Sequence, residues 1–122
     1  MDLTAYPDKV QTLVGDARKL IRKWLPRAKE GEDIAARMFA YSYGPGYKGV
    51  ICTLLLSKTG VKLGIAGGAS LPDPHGLLRG EGKVHRHVPL KTIGDLQQPG
   101  VKELVMAASA ACREGPGHAG KS

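Results

Sequence analysis

Four residues between positions 83 and 87 carry the side chains of this sequence best suited to holding an anion or a metal ion: Lys83, His85, Arg86 and His87. A guanidinium can fork two N–H groups onto a carboxylate or phosphate, and a nearby lysine adds charge. His85 and His87 lie two positions apart, so on a strand both imidazoles point the same way and could supply two metal ligands. The alternative is that both histidines face solvent on an edge strand.

Arg86 has two interpretations, which depend on the strand that contains it. Apolar residues alternate through VHRHVPL, so we expect a strand over 84–90 with Val84, Arg86, Val88 and Leu90 on its core face. A guanidinium cannot lose its charge there, and it must pair with a carboxylate or line a cavity. The ion-pair interpretation gives it a partner among three acids: Glu32, Asp33 or Asp73.

If Arg86 lines a cavity, we expect an aromatic strand to form the wall of that cavity. The segment RMFAYSY alternates with period two, which places Phe39, Tyr41 and Tyr43 on one face of a predicted strand. Such rings form the apolar walls of small-molecule sites, in which a few polar groups orient the ligand. We therefore expect a small anionic or aromatic-anionic ligand, held by Arg86 with help from Lys83 and one of the two tyrosines.

Two long helices follow from the spacing of apolar residues. In the first, which we expect Asp8 to cap and Pro26 to end, three- and four-residue steps put seven side chains on one face: Val10, Leu13, Val14, Ala17, Leu20, Ile21 and Trp24. The last helix opens near Pro99 and carries a similar apolar face: Val101, Leu104, Val105, Ala108 and Cys112. The polar segment 27–36 predicts a short helix or helical turn after the first helix, and Asp73-Pro74 with Gly80 predicts another short helix over 74–79.

Strand signals lie between the helices. Residues 50–57 and 61–66 are apolar or alternating, and the short Lys58-Thr59-Gly60 segment makes them a hairpin. Gly44-Pro45-Gly46 predicts a turn after the aromatic strand. Together with the helices, these elements predict one α+β domain over 1–112 with antiparallel pairing, followed by a disordered tail over 113–122.

Composition narrows the class of partner. A chain of 122 residues suits one domain, and its net charge of +7 favours anionic partners. Its start has no apolar signal segment and no apolar run approaches the roughly 20 residues of a membrane span, so we expect a cytoplasmic protein without a membrane partner. Cys52 and Cys112 are expected to be free thiols. No oligomeric state is indicated.

A basic stripe follows the first helix: Arg18, Lys19, Arg22, Lys23, Arg27 and Lys29. It could neutralise the phosphates of a nucleic acid, although a solvated helix face explains it equally well. Because no aromatic interleaving or known nucleic-acid module accompanies the stripe, nucleic-acid binding is the third of our alternatives.

Catalytic and nucleotide-binding motifs are absent from the sequence. GLLRGEGK lacks the spacing of a phosphate loop, and GIAGGAS lacks the GxGxxG spacing of a dinucleotide fold. No nucleophile elbow or HExxH motif occurs, and Cys52 lies in an apolar strand where packing is the commoner role. The sequence therefore favours a non-enzymatic binding protein, and it predicts no cofactor.

Three segments taken together resemble the YdhG-like family of small bacterial domains: MFAYSYGPGYKG, GGASLPDPHGLLRGEGK and HRHVPLKTIGDL. The resemblance covers residues 8–112, and its most specific parts are DPHGLLRGEGK and the Arg86-His87 pair. The family is mostly of unknown function, and its best-described member is an intracellular iron chaperone of frataxin type. The resemblance implies a twisted antiparallel sheet of about four to five strands with N- and C-terminal helices packed on it.

Iron carriage is the alternative function that this resemblance implies. Iron(II) suits carboxylate oxygens, and the local acidic cluster comprises Glu30, Glu32 and Asp33. Under this hypothesis Glu32 and Asp33 hold the metal, with or without His85 and His87.

Overall fold

A computed structural model describes residues 1–44 and 49–113 of the chain. Helix α1 spans Asp8–Trp24, and five strands follow: β1 Lys29–Asp33, β2 Met38–Ser42, β3 Val50–Leu56, β4 Val61–Ile65 and β5 Arg86–Leu90. A four-residue helix α2, Ile93–Leu96, precedes the last helix α3, Val101–Arg113. Short 3-10 turns lie at Leu3–Ala5 and Gly68–Ser70. The predicted α+β class is confirmed.

The sheet is antiparallel throughout, and its five strands lie in chain order β1-β2-β3-β4-β5. Each strand pairs with its neighbour in sequence, so β1 and β5 form the two edges. The register places residues directly opposite one another on the same face, as in Tyr41 opposite Cys52 and Cys52 opposite Ile65. A register shift between Tyr41 and Ser42 marks a bulge near the start of β3.

Both long helices pack on one face of this sheet. Helix α1 buries the apolar face that its periodicity predicts. Leu20 and Trp24 on that face are half-buried, and its other residues are buried: Val10, Leu13, Val14, Ala17 and Ile21. The core joins these side chains to alternating residues of the strands and to α3: Phe39, Tyr41, Leu54, Leu63, Val88, Val105 and others. The opposite face of the sheet, which we call the open face, has no helix of the described chain over it.

The predicted helix over 27–36 is wrong, because these residues form strand β1 and a turn. Glu30 pairs with Tyr41 and Asp33 with Met38, and the four residues 34–37 connect the strands. Arg37 closes the turn in the left-handed region with φ 58°. Pairing with β2 outweighs the helical propensity of this polar segment, since an edge strand leaves most of its side chains in solvent.

The predicted helix over 74–79 is also absent. Asp73 instead closes a turn, in which its two carboxylate oxygens accept hydrogen bonds from Leu77 N at 2.8 Å and Leu78 N at 2.9 Å. These bonds lower the pKa of the Asp73 carboxyl, although its partial desolvation acts in the opposite direction. The side chain of Asp73 therefore stabilises a loop and no helix forms.

The predicted boundaries of β5 and α1 need smaller corrections. β5 begins at Arg86, and Val84, expected on the core face, is 57% exposed ahead of the strand. At the start of α1, Asp8 is the first helical residue, and the N-cap position belongs to Pro7 without a side-chain cap. The helix ends at Trp24, just before Pro26, as predicted.

Helix α2 was not predicted from the sequence. Asp95 builds it by accepting backbone N–H bonds from Lys91 and Thr92, at 2.7 and 3.1 Å. No helix in the described part of the chain is both long and apolar enough to cross a membrane. The predicted tail over 113–122 begins one residue too early, because Arg113 is the last residue of α3. The rest of that tail, residues 114–122, and Pro45 and Gly46 of the predicted turn lie outside the described residues.

Candidate functional site

The aromatic strand β2 turns two of its rings into the core, on the same face of the sheet as Arg86 but separated from it by β3 and β4. Phe39 and Tyr41 are almost completely buried, and the guanidinium of Arg18 lies over the Phe39 ring, 4.4 Å from its centre. The Tyr41 hydroxyl donates to Glu30 Oε2 at 2.5 Å. Burial, followed by this contact with a carboxylate, raises the pKa of Tyr41 far above its ordinary value.

Arg18 completes this polar network. Its Nε and Nη2 atoms donate to the two carboxylate oxygens of Glu30 at 3.0 and 2.6 Å, and Arg22 lies 3.7 Å from the same carboxylate. The hydrogen bonds from Arg18 are the main reason that the pKa of Glu30 is lowered. The network joins α1 to the β1 edge of the sheet, so its role is structural.

Tyr43 lies beyond the end of β2 and has a different partner. Its hydroxyl is 2.6 Å from the hydroxyl of Ser109, a buried polar residue of α3. None of the three predicted aromatic residues lines the cavity that Arg86 borders or the cavity next to it. The aromatic wall predicted for the ligand site is therefore not formed by Phe39, Tyr41 and Tyr43.

Arg86 lies opposite Ile65 in the sheet register, on the same side as Val88 and Leu90, as alternation predicted. It is half-buried, and its Nε donates to the backbone carbonyl of Gly82 at 2.7 Å. Among the described residues no carboxylate lies within ion-pair distance of its guanidinium. The ion pair with Glu32, Asp33 or Asp73 is therefore wrong.

The three acids proposed for that ion pair are engaged elsewhere. Glu32 forms an ion pair with the N-terminal ammonium of Met1, and Asp33 accepts a bond from the backbone N–H of Ala36 at 2.9 Å. Asp73 caps its own loop. Arg86 thus keeps its charge at the β5 edge without a carboxylate from the described chain.

Two adjoining cavities lie on the open face, where β3, β4 and β5 meet. The first has a volume of about 280 Å³, and seven residues line it: Thr53, Leu55, Lys62, Gly64, His85, Arg86 and His87. The second has a volume of about 240 Å³ and is mainly apolar: Met38, Val50, Cys52, Thr53, Gly64, Ile65, Ala66 and His85. They share Thr53, Gly64 and His85, so the two form one groove. We call the first the basic cavity and the second the apolar cavity.

Gly64 keeps the groove open. It lies opposite Thr53 on one side and His87 on the other, and a Cβ atom at this position would overlap the Oγ1 of Thr53. The absence of a side chain therefore exposes the Thr53 hydroxyl at the wall that the two cavities share. Lys62 lies two positions earlier on the same face of β4.

The electrostatic character of the basic cavity is uniform. Lys62, His85, Arg86 and His87 line it, and no Asp or Glu is among its lining residues. Partial burial is the main cause that lowers the pKa of His87, and the positive charges of Lys62 and Arg79 add to it. Positive charges repel a proton from His87 but attract an anion, so the same field that disfavours imidazolium favours a bound carboxylate or phosphate.

The predicted histidine pair is brought to this groove, although the two imidazoles differ in their contacts. His85, just ahead of β5, accepts a hydrogen bond on Nδ1 from the backbone N–H of Gly67 at 3.0 Å. His87 exchanges two backbone hydrogen bonds with Arg79, which adds a single bridge at the outer edge of β5. Lys83 is exposed and lines neither cavity.

The residues proposed for iron do not come together. Glu32 and Asp33 lie on β1, whereas His85 and His87 lie at β5, the opposite edge of the sheet. Within residues 1–44 and 49–113 no cluster of three or more His, Cys, Asp or Glu side chains is placed to hold a metal ion. Any metal held by one of these pairs would need further ligands.

Two of the six cations along the basic stripe are taken up by Glu30, namely Arg18 and Arg22. Cys52 and Cys112 form no disulfide, as predicted, and burial raises the pKa of Cys52 to about 12. Neither observation adds a reactive or phosphate-binding site.

The sequence did not single out Thr53, Lys62 and Gly64. The available signal was the alternation in VKLGI, which assigns Lys62 and Gly64 to the face opposite Val61, Leu63 and Ile65. Assigning them to the groove also requires knowing that β4 pairs with β5, which places Gly64 beside His87.

Comparison with known proteins finds no matching family model, no curated protein with significant similarity and no solved structure with significant similarity. Membership of the YdhG-like family therefore stays a prediction from the sequence.

Proposed function

We propose that this protein is a non-enzymatic binding protein that holds a small anionic molecule in the basic cavity on the open face of its sheet. The observation that supports this proposal is the composition of that cavity: four basic residues and no carboxylate among the residues that line it. The proposed ligand class is the one predicted from the sequence, but residues of β3 and β4 line the proposed pocket in place of the aromatic strand.

Each group has a defined part in the proposed site. Lys62 supplies a charged ammonium at the exposed surface of the open face. Arg86 borders the cavity from β5, but its side chain lies on the opposite face of the sheet, with Val88 and Leu90. The hydroxyl of Thr53 and the imidazole of His87 can add hydrogen bonds to the ligand. A ligand oxygen here would gain charge-assisted hydrogen bonds, which are stronger than neutral ones.

The direct test is an NMR titration of the ¹⁵N-labelled protein with acetate and with inorganic phosphate at constant ionic strength. We expect the backbone amide signals of Gly64 and His87 to shift in a saturable way. Lys62→Gln should weaken the binding about tenfold or more, since it removes one charged partner. Lys102→Gln, an equal loss of charge on an exposed residue of α3, should leave the affinity unchanged.

Arg86→Met tests the residue that the sequence singled out. Because its side chain lies on the core face, this change should weaken the same binding less than Lys62→Gln does, while it keeps most of the side-chain volume. If neither anion shifts Gly64 and His87, or if Lys62→Gln and Lys102→Gln weaken binding equally, the proposal is wrong and only general charge attraction is present.

The other predicted functions keep their own tests. Iron carriage predicts that iron(II) binds at Glu32 and Asp33 and that their double replacement by amides abolishes it. Nucleic-acid binding through α1 predicts an affinity that falls steeply with salt and that Lys19→Gln with Lys23→Gln reduces. Cytoplasmic localisation also belongs to the proposal, supported by Cys52, whose buried thiol forms no disulfide.

A further inference from the structure

The two halves of the groove differ in chemistry although they share a wall. The basic cavity carries Lys62 and His87, whereas Met38, Val50 and Ala66 give the apolar cavity its character. A ligand that occupied only the basic cavity would leave the apolar surface beside it in water. Resting on the anion site proposed above, we infer that the ligand is a small arylcarboxylate, whose carboxylate lies in the basic cavity and whose ring lies in the apolar one.

The size of the apolar cavity suits a single ring. At roughly 30 Å³ for each water-sized group, its 240 Å³ corresponds to about eight such groups. A phenyl ring with one connecting carbon has seven. The dimensions therefore favour a monocyclic body over an extended chain or a fused ring system.

The lining favours a flat apolar body. Gly64 and Ala66 provide a floor without large side chains, next to the Thr53 hydroxyl. Met38 is half-buried on the open face and borders the same cavity, and thioether sulfur makes favourable contacts with ring edges. Both features fit a ring lying against the sheet between β2 and β4.

The charge of the basic cavity favours a single negative charge. Lys62 carries the permanent positive charge on this face, while burial and the neighbouring cations keep His87 neutral at physiological pH. A monocarboxylate matches this charge without placing a second charge in the apolar half. A neutral ring compound would leave the basic residues without the partner they can hold.

The test compares four probes by the shifts of the Gly64, Ala66 and His87 amide signals at pH 7 and constant ionic strength: phenylacetate, acetate, inorganic phosphate and 2-phenylethanol. We expect phenylacetate to bind at least tenfold more tightly than acetate, which is the gain from burying about two methylene equivalents. Its shifts should include Ala66, whereas acetate and phosphate should affect His87 and Gly64 only. The neutral alcohol should bind at least tenfold more weakly than phenylacetate.

Two methionines provide a matched pair of variants. Met38→Gln places an amide at the apolar cavity with little change in volume, and it should weaken phenylacetate about fivefold or more without changing acetate. Met106→Gln makes the same replacement on α3, where Met106 is 41% exposed, and should change neither affinity. Thermal unfolding of both variants establishes that each remains folded.

The outcomes separate this inference from the function beneath it. Equal affinities for phenylacetate and acetate would overturn the arylcarboxylate inference and leave the anion site in place. Equal affinities for phenylacetate and 2-phenylethanol would overturn both, because the charge would then contribute nothing. Absence of saturable shifts with every carboxylate and with phosphate would also overturn both.

Discussion

His87 links the candidate ligand site to pH. Its pKa is lowered from 6.5 chiefly by partial burial and then by Lys62 and Arg79, and His85 and Arg86 line the same cavity. A lowered pKa means that the folded state prefers neutral imidazole, so acidification through pH 6.5 should reduce the stability of the free protein. A bound anion should reverse the shift, because it stabilises the imidazolium.

This prediction can be checked by following the imidazole signals of His87 through a pH titration. We expect a midpoint below 6.5 in the free protein and a higher one with saturating phenylacetate or phosphate. Arg79→Gln should raise the midpoint in the free protein, whereas Lys102→Gln should not. A midpoint above 6.5 without ligand would contradict the assigned surroundings.

Glu30 is the residue whose loss should affect folding most clearly among the acids. Its carboxylate accepts two bonds from Arg18 and one from Tyr41, so Glu30→Gln should lower the free energy of unfolding by about 1–3 kcal/mol at pH 7. Glu103→Gln removes the same charge from an exposed position on α3 and should change stability by less than about 0.5 kcal/mol. Urea unfolding measures both.

The pH dependence of the Glu30 contribution has a defined sign. The folded-state pKa of this carboxyl lies below 4.5, because Arg18 stabilises its ionised form. The contribution is therefore present above pH 4.5 and is lost as the pH falls through the folded pKa. Wild type and Glu30→Gln should converge in stability at low pH. An unchanged difference at pH 3 would show that packing and not charge accounts for the effect.

The face of a residue can be predicted from the sequence where a charged side chain falls among apolar ones. The alternation through β5 predicted that Arg86 shares a face with Val88 and Leu90, and the register agrees. It could not identify Thr53 or Gly64, because a threonine and a glycine in strands carry no signal of their own. Their role depends on the pairing of β4 with β5, which the predicted hairpin between β3 and β4 does not give.

At the scale of elements, the β1–β2 turn holds a correctable strain. Arg37 is exposed and has φ 58°, a region that costs a residue with a Cβ about 1–2 kcal/mol. Glycine accepts this conformation but loses about 0.5–1 kcal/mol through its freer unfolded chain. Arg37→Gly should therefore raise the free energy of unfolding by on the order of 0.5 kcal/mol.

Thermal or urea unfolding would measure this gain. Ile34→Gly, in the same turn, supplies the comparison, because Ile34 is not among the residues with positive φ. Glycine relieves no strain there, so this change should only add the entropic cost and lower the free energy of unfolding. We expect Arg37→Gly to stabilise and Ile34→Gly to destabilise. Destabilisation by Arg37→Gly as large as that of Ile34→Gly would show that the exposed Arg37 side chain contributes to folding.

The two elements that sequence reasoning misassigned share one physical cause. Segment 27–36 has few apolar residues, so its periodicity could not separate a helix from an edge strand whose exposed side chains are polar on either assignment. In the loop that contains Asp73, a helix-capping residue does cap backbone N–H groups, but those of a turn. Local sequence signals identified Asp73 as a capping residue but assigned the wrong secondary structure. Strand pairing and loop geometry, which local signals do not contain, decide whether such a segment is a helix, a strand or a turn.

At the scale of the whole molecule, the fold class was predictable because the sheet is built from neighbours in the chain. Each strand pairs with the next one along the chain. Hairpins and helical periodicity together therefore determine the architecture, except at the β1–β2 connection over 34–37. The long helices α1 and α3 both carry clear apolar faces. The open face could not be predicted, because nothing in the periodicity says which side of the sheet the helices leave uncovered.

The separation of the sheet edges has a kinetic consequence. The acids of β1 lie three strands away from β4, the middle strand of the basic cavity, a distance of about 14 Å at the usual strand spacing. This exceeds the Debye length of about 8 Å at physiological salt, so the β1 carboxylates barely reduce the attraction that an anion feels near β5. On a chain with net charge +7, diffusing anions would be steered toward the β5 edge, and their rate of association should fall as salt rises while their rate of dissociation changes little.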